Sequence, residues 1–311
     1  MVEKKQFNMK PKILIVFDEM GWIFHSHAKQ IQERLTEYDI DIIDHRQNIT
    51  EISKKYDLVY VMDPMPITYP PQNKTIMGLR NEFLYKDHPE SVIGLYEKGW
   101  SGRCVSIKDK CKMLHMVNKR QIEAFKDIKD KPIILVQHGI DERIFDVNVN
   151  KYKKVKNDVL TVGMSGRDSR NKTFGTVKLA CDKTGLRFLS AQYNYSRLPK
   201  EKMPEFYNKI DIYVVMSLSE GLHNGSMEAG AMKVPIISTK CGAIEEMVTD
   251  GKSGLLIERN EKSLIEALEK IKDEKLRSDM GNKFHEEIIT NWTWKKRIDG
   301  FRKMFELGLK I

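Results

Sequence analysis

The sequence predicts an α/β protein made of two doubly wound domains that face each other across a cleft. The chain has 311 residues, which is enough for two cores of ordinary size. Apolar runs the length of buried strands alternate with helix-patterned segments, and this alternation implies parallel sheets covered by helices. It is interrupted at a polar, lysine-rich stretch over residues 147–157, which we interpret as a linker between residues 1–146 and residues 158–291.

The first domain is predicted from one buried strand, Lys12 to Phe17, followed by an amphipathic helix, Ser26 to Tyr38. The segment Thr68 to Lys74 carries two consecutive prolines and is predicted to be a loop. Further strands are predicted at Ile40 to Ile43, Leu58 to Met62, Lys74 to Met77 and Ile133 to Gln137.

The second domain is predicted from another strand–helix series that begins at Val159 to Gly163. In open sheets of this kind, ligands bind outside the carboxyl ends of the strands. We therefore expect site residues immediately after strands. The remaining strands are predicted at Leu186 to Leu189, Ile212 to Met216, Pro235 to Ser238 and Gly254 to Ile257, with later helices from Glu261 and Glu274.

The composition argues against a disordered chain and against a membrane-spanning one. Hydrophobic residues make up 41% and charged residues 31%, which is typical of a globular chain, and no apolar run approaches the ~20 residues of a membrane span. We expect a cytoplasmic protein, with a peripheral membrane role left open. Four scattered cysteines lack metal-ligand spacing and are expected to be reduced. The net charge of +9 arises mostly in residues 151–311 and fits a nucleotide, nucleic acid or an acidic membrane.

The most informative motif is the stretch from Ser219 to Ala231. Two carboxylates, Glu220 and Glu228, flank a small polar turn that opens a helix. The N–H groups and dipole of a helix N-terminus suit a phosphate, and carboxylates accept hydrogen bonds from sugar hydroxyls. This pattern predicts a nucleotide-sugar site. In the simpler alternative, Glu220 caps an ordinary helix and Glu228 is a solvated helix charge.

This stretch resembles the donor-site signature of retaining GT-B glycosyltransferases of the group 1, or family four, type. Their pattern is Glu, seven residues, Glu, a small-residue helix and a buried strand that begins Val/Ile-Pro, which here is Val234-Pro235. The resemblance covers roughly residues 158–260. It also includes Phe206 to Val215, Gly242 to Glu246 and Asp250 to Leu256.

The resemblance implies two Rossmann-like domains and roles for residues of the second one. Glu220 would contact the transferred sugar, Glu228 would hold the ribose hydroxyls, and Asn224, Gly225 and Ser226 would offer backbone N–H groups to phosphate. In the segment from Gly163 to Lys172, which includes Gly166, the residues Arg167 and Lys172 would hold the donor diphosphate. Because two cations can replace a divalent ion, we expect no metal and no cofactor. Alternatively, Arg167 and Lys172 are surface cations on a loop.

The resemblance is weaker in the first domain. Gly21 matches a glycine-containing loop after the first strand, and Gln137 to Asp141, with Phe145, matches a hinge segment. Many members carry a histidine at a strand end that here reads Met62-Asp63-Pro64. Asp63 either replaces it or caps a loop, and His25 and His27 are other candidates or are structural. In the family a tryptophan-marked kink, here Asn291 to Trp294, lets residues 292–311 cross back onto the first domain.

The acceptor is not evident from the sequence. A glycan or lipid-linked glycan is the commonest acceptor in the family, and modified DNA bases are the alternative. The basic stripe, Arg103 to Arg120, contains six basic residues and one acidic residue. Its lysines Lys108, Lys110 and Lys112 would bind DNA or an anionic membrane, or form only a solvated face. A non-catalytic nucleotide-sugar-binding protein is the alternative of another class. The sequence does not indicate an oligomeric state.

Overall fold

The computed structural model describes residues 10–62, 70–80, 110–126, 128–145, 147, 154–166, 172–192 and 198–311. It contains two parallel β-sheets with helices packed against them. The first sheet has the strand order β2-β1-β3-β4-β5-β6, and the second has the order β11-β10-β9-β7-β8. This confirms the predicted fold class of two doubly wound α/β domains.

The strands are short and mostly buried, as expected for parallel sheets covered on both faces. They are β1 Lys12–Phe17, β2 Asp39–Asp44, β3 Leu58–Val61, β4 Thr75–Leu79, β5 Met113–Met116, β6 Ile133–Leu135, β7 Thr161–Gly166, β8 Arg187–Gln192, β9 Ile212–Val215, β10 Ile236–Thr239 and β11 Gly254–Ile257.

The helices differ in length, and the longest lie at the end of the chain. They are α1 Ile23–Arg34, α2 Ile49–Ile52, α3 Lys119–Ala124, α4 Phe174–Thr184, α5 Met203–Asn208, α6 Asn224–Ala231, α7 Ile244–Met247, α8 Glu261–Ile271, α9 Glu274–Asn291 and α10 Trp294–Lys310. Helix α1 begins at Ile23, three residues before the predicted start at Ser26, and it ends at Arg34 instead of Tyr38.

Strand β5 was not predicted, because its sequence lies inside the basic stripe. Met113–Met116 pairs with both β4 and β6 and is buried along its whole length. The described part of the basic stripe is therefore not one surface. Lys110 and Lys112 precede the strand, whereas Arg120 follows it at the opposite edge of the sheet.

The C-terminal helix α10 packs against the first sheet, which confirms the predicted crossing. Trp294, Phe301 and Phe305 are fully buried in the same core as Ile13 and Tyr60. At the crossing point, Ile140 donates its backbone N–H to the carbonyl of residue 292 at 2.7 Å, and Trp294 donates its N–H to Ile140 O at 3.0 Å. The last helix therefore supplies part of the core of the first domain.

The domain boundaries remain predictions. Most of the predicted linker 147–157 lies outside the described residues, since residues 148–153 are not among them. In the described part of the chain, no helix has the length and apolar character that a membrane crossing requires.

Candidate functional site

The carboxyl ends of the two sheets face each other, and side chains bridge the cleft between them. Asn118, after β5, donates from its side-chain nitrogen to the Gly221 carbonyl at 3.1 Å. Lys200 Nζ donates to Ser26 Oγ on α1 at 3.0 Å. In each of these hydrogen bonds the two partners belong to segments that pack against different sheets. The described chain therefore brings both predicted halves of the site together.

Helix α6 begins where the motif predicts a phosphate-binding turn. His223 is its N-cap, and the Nδ1 atom of this histidine accepts from the Ser226 N–H at 3.1 Å. Gly225 lies directly on the Tyr213 ring, and a Cβ atom there would be 2.1 Å from Tyr213 Oη. Only glycine fits this contact, so the first turn lies close to the sheet with Asn224, Gly225 and Ser226 at the predicted anion site.

Glu220 and Lys172 meet beside this turn. Lys172 Nζ lies 2.5 Å from Glu220 Oε1, and Ser217 Oγ donates to the same oxygen at 2.7 Å. Both partners are mostly buried, with side chains 15% and 17% exposed. Burial alone would raise the pKa of Glu220, but the Lys172 ammonium and the donated hydrogen bonds outweigh it and hold the pKa at about 2. The alternative of Glu220 as the helix cap is wrong, because His223 caps α6.

Lys172 reaches the site across the end of β7. Gly166 ends this strand with φ of +119°, and a Cβ atom there would lie 3.1 Å from Lys172 Cε. The glycine therefore lets the lysine side chain lie against the backbone. Arg167, the predicted second cation, lies outside the described residues, so its role stays a prediction.

Glu228 lies on the inner face of α6, and its side chain is not solvated. The residue is 6% exposed, and Tyr207 Oη donates to its Oε2 at 2.8 Å. Burial raises the pKa of Glu228 to about 7, although the Tyr207 hydrogen bond and the Lys200 ammonium act in the opposite direction. The alternative of a solvated helix charge is therefore wrong, because this carboxyl is buried and accepts a hydrogen bond from Tyr207.

The predicted site residues of the first domain differ in how close they lie to the second domain. Gly21 has φ of +80°, and its N–H donates to His25 Nδ1 at 3.0 Å, so His25 braces the turn after β1. His27 lies deeper, with Nε2 3.2 Å from Asn224 Oδ1 across the cleft. Asp63 lies outside the described residues.

Arg80 is a site residue that the sequence analysis missed. It follows β4, is 4% exposed, and places its NH2 group 2.8 Å from His27 Nδ1. Because arginine only donates, His27 carries its proton on Nε2 and donates to Asn224. Burial, His138 and Arg80 all keep the pKa of His27 well below its usual value. The sequence signal that could have identified Arg80 is a charged residue three positions after the predicted strand Lys74 to Met77.

The lysines proposed for the acceptor side are placed elsewhere. Lys112 comes directly before β5, at the amino edge of the sheet, whereas the cleft lies at the carboxyl edge. Lys110 is exposed next to it, and Lys108 lies outside the described residues. Arg120 does reach the cleft edge, where it pairs with Glu245 at 2.6 Å. Lys110 and Lys112 therefore lie at the end of β5 opposite to the cleft and do not line it.

Comparison with known proteins agrees with this architecture. Residues 131–274 match the family model described as glycosyl transferases group 1. Over 108 residues the chain is 34% identical to an uncharacterized glycosyltransferase of Methanocaldococcus jannaschii, covering 34% of this chain and 30% of that protein. It is 29% identical over 191 residues to the capsular polysaccharide biosynthesis glycosyltransferase CapM of Staphylococcus aureus, covering 49% and 50%. The chain thus spans half or less of the length of these relatives.

Two solved structures share the whole fold at low identity. Sucrose-phosphate synthase from Thermosynechococcus elongatus superposes with a TM-score of 0.71 at 12% identity, covering 96% of this chain and 98% of that one. HepE of Anabaena, solved with UDP-glucose, superposes with a TM-score of 0.69 at 10% identity, covering 95% and 99%. Residues 131–274 thus match the glycosyl transferases group 1 model, and the described chain has the GT-B fold of these solved structures.

Proposed function

We propose that the protein is a retaining glycosyltransferase that moves a sugar from a nucleoside-diphosphate sugar to an acceptor hydroxyl. The observation that carries this proposal is the Lys172–Glu220 pair beside the first turn of α6, with Glu228 buried further along the same helix. A cation, helix N–H groups and two carboxylates then surround one cleft.

Each group has a separate task in the proposed donor complex. Lys172, Arg167 and the N–H groups of Asn224, Gly225 and Ser226 bind the diphosphate, because they offer positive charge and donors to phosphate oxygens. Glu220 accepts from hydroxyls of the transferred sugar, and Glu228 accepts from the ribose. Gly166 and Gly21 keep the strand ends close to the ligand. The relative HepE, solved with UDP-glucose, supports a donor of this class.

The proposed reaction breaks the bond between the anomeric carbon and the diphosphate oxygen, which leaves with the electron pair. The acceptor oxygen bonds to the same face of that carbon, and its proton passes to the departing phosphate oxygen. Fixed donors around the diphosphate stabilise the negative charge that develops on it. We assign no nucleophilic side chain, and we propose that the cations make a metal or other cofactor unnecessary.

The proposed acceptor is a glycan or a lipid-linked glycan. The name of the relative CapM, a capsular polysaccharide biosynthesis enzyme, supports this class of acceptor. A DNA acceptor has less support than the sequence suggested, because Lys110 and Lys112 lie at the sheet edge opposite to the cleft. A peripheral position at a membrane would fit a lipid-linked acceptor.

A thermal-shift screen of nucleoside diphosphates and their sugars tests the donor half. A ligand that binds only the folded protein raises its stability by RT ln(1 + [L]/Kd), so the preferred base and sugar identify themselves. The donor found is then used in hydrolysis and transfer assays, with the anomer of the product read by NMR.

The variant Glu220→Gln distinguishes an enzyme from a non-catalytic binder. We expect it to fold and bind nucleoside diphosphate but to lose sugar transfer. Near-normal turnover would remove Glu220 from the mechanism. Donor binding without any hydrolysis or transfer in the unaltered protein would support the non-catalytic alternative, and an inverted product anomer would contradict retention.

A further inference from the structure

His223 connects the N-terminus of α6 to the Lys172–Glu220 pair. Its Nδ1 atom accepts from the Ser226 N–H at 3.1 Å and lies 2.8 Å from Ser226 Oγ. Its Nε2 atom lies 3.3 Å from Lys172 Nζ and 3.9 Å from Glu220 Oε1. The ring is 7% exposed, so one nitrogen caps the helix and the other faces the site.

The capping contact determines the tautomer of the ring. Since Nδ1 accepts a backbone N–H, a neutral ring carries its proton on Nε2. In the opposite tautomer Lys172 would donate to Nε2 and Nδ1–H to Ser226 Oγ, but the ring would then no longer accept the Ser226 N–H that it caps. The Nε2–H group and the lysine ammonium are consequently two donors, 3.3 Å apart, that converge on the same small volume.

Capping alone does not explain a histidine at this position. Ser, Thr, Asp and Asn are the preferred N-caps, and they satisfy the same N–H group with a smaller side chain. What histidine adds is the second nitrogen, which lies inside the cleft. Neighbouring donors of this kind suit an anion. Glu220 Oε1 accepts from Lys172 at 2.5 Å, but it lies 3.9 Å from His223 Nε2, which is beyond hydrogen-bond distance.

We propose that His223 is a further catalytic residue, whose Nε2–H donates a hydrogen bond to the diphosphate of the donor as the glycosidic bond breaks. This inference rests on the proposed function. Two donors 3.3 Å apart suit neighbouring oxygens of one phosphate group, with Lys172 supplying charge and His223 a directed N–H. No proton is transferred by the ring, and the electron pair of the broken bond stays on the diphosphate.

The electrostatic surroundings keep the ring neutral for this task. Burial lowers the pKa of His223 to about 4, with the Lys172 ammonium acting in the same direction and Glu220 opposing it. A neutral imidazole with a depressed pKa can still donate a hydrogen bond through its N–H group to an oxygen that becomes negatively charged.

The variants His223→Asn and His223→Ala separate capping from catalysis. Asparagine can still cap α6 but has no second ring nitrogen, whereas alanine loses both functions. We expect the Asn variant to keep the unfolding temperature of the parent and the Ala variant to lower it. Both should reduce kcat for sugar transfer about a hundredfold, the scale for removing one preorganised donor, with a smaller change in donor KM.

A purely structural role for His223 gives a different pattern. The Asn variant would then transfer sugar within about threefold of the parent kcat, and this result would overturn the proposal. His223→Ser, another good cap, replaces the Asn variant if that protein does not fold. If the unaltered protein neither binds nucleoside diphosphates nor uses their sugars, the proposed function itself fails, which is a distinguishable outcome.

Discussion

The ammonium of Lys172 lies 2.5 Å from the carboxylate of Glu220, so the proposed diphosphate-binding cation and the proposed sugar-binding acid are paired with each other. In the donor complex the diphosphate would compete with Glu220 for this ammonium. The carboxylate could then turn its oxygens to sugar hydroxyls. The ion pair therefore keeps both charges compensated in the cleft until a ligand with similar chemistry replaces one partner.

Lys172→Ala is expected to lower kcat/KM for sugar transfer by roughly two to three powers of ten, because it removes a preorganised charge beside the leaving group. It also leaves a mostly buried carboxylate without its cation, so we expect a loss of stability. Steady-state kinetics and thermal unfolding measure the two effects. Lys172→Arg keeps the charge and is the control. A Lys172→Ala enzyme with parental kcat/KM would contradict the assignment.

Glu228→Gln is expected to change the pH dependence of stability. The pKa of Glu228 is raised to about 7 in the folded chain, from 4.5 as the ordinary value. Between these pH values the folded chain binds a proton that the unfolded chain has lost. The free energy of unfolding therefore falls, by up to about 3 kcal/mol, as the pH rises from about 4.5 to 7. The variant should lack this decline and be more stable than the parent at pH 8.

Denaturant unfolding of both proteins between pH 5 and pH 8 measures this difference. Glu266→Gln, which replaces a carboxylate with a side chain 66% exposed on α8, is the matched control and should leave the profile unchanged. The Glu228→Gln protein should also bind nucleoside diphosphate more weakly. Parallel stability profiles for Glu228→Gln and parent would show that this carboxyl is not desolvated.

Gly221→Ala is expected to separate the two domains at the site. A Cβ atom at Gly221 would lie 1.8 Å from the Arg80 carbonyl oxygen, so the backbone of one sheet must move away from the other. We expect a lower unfolding temperature and at least a tenfold lower kcat/KM. Gly175→Ala is the control, because nothing lies within 4 Å of its Cβ position and alanine favours a helix. Equal behaviour of the two variants would contradict this interface.

His27→Leu is expected to lower kcat/KM for sugar transfer by about tenfold, the equivalent of losing one hydrogen bond of about 1.4 kcal/mol. The side chain accepts from Arg80 and donates to Asn224 across the cleft, and leucine does neither. His27→Gln retains a donor in the position of Nε2 and should recover part of the activity. Equal activities for the Leu and Gln variants would show that the cross-cleft hydrogen bond does not matter.

Sugar transfer is expected to persist in EDTA, because we propose that Lys172 and Arg167 stabilise the diphosphate without a metal. The measurement is the transfer rate before and after chelation, with added magnesium or manganese as the control. Loss of activity in EDTA that either ion restores would overturn the metal-free mechanism.

Local sequence determined most of the second domain. The predicted strand at Gly254 to Ile257 is β11 without change, and the helices predicted from Glu261 and Glu274 begin at those residues. The turn between Glu220 and Glu228 opens a helix as predicted. These features depend on apolar periodicity, turn chemistry and capping within a few residues, and all of these can be read from neighbouring positions.

Only the tertiary structure decided which residues meet across the cleft. Strand β5 was hidden because four apolar or histidine residues inside a basic segment carry little periodicity, and only its partners β4 and β6 bury it. His27, which accepts from Arg80, reaches Asn224, 197 positions later in the chain, because both sheets end at one cleft. His223 likewise acquires its second neighbour, Lys172, only when β7 and β9 lie side by side. Such contacts depend on packing between distant segments, which no local pattern specifies.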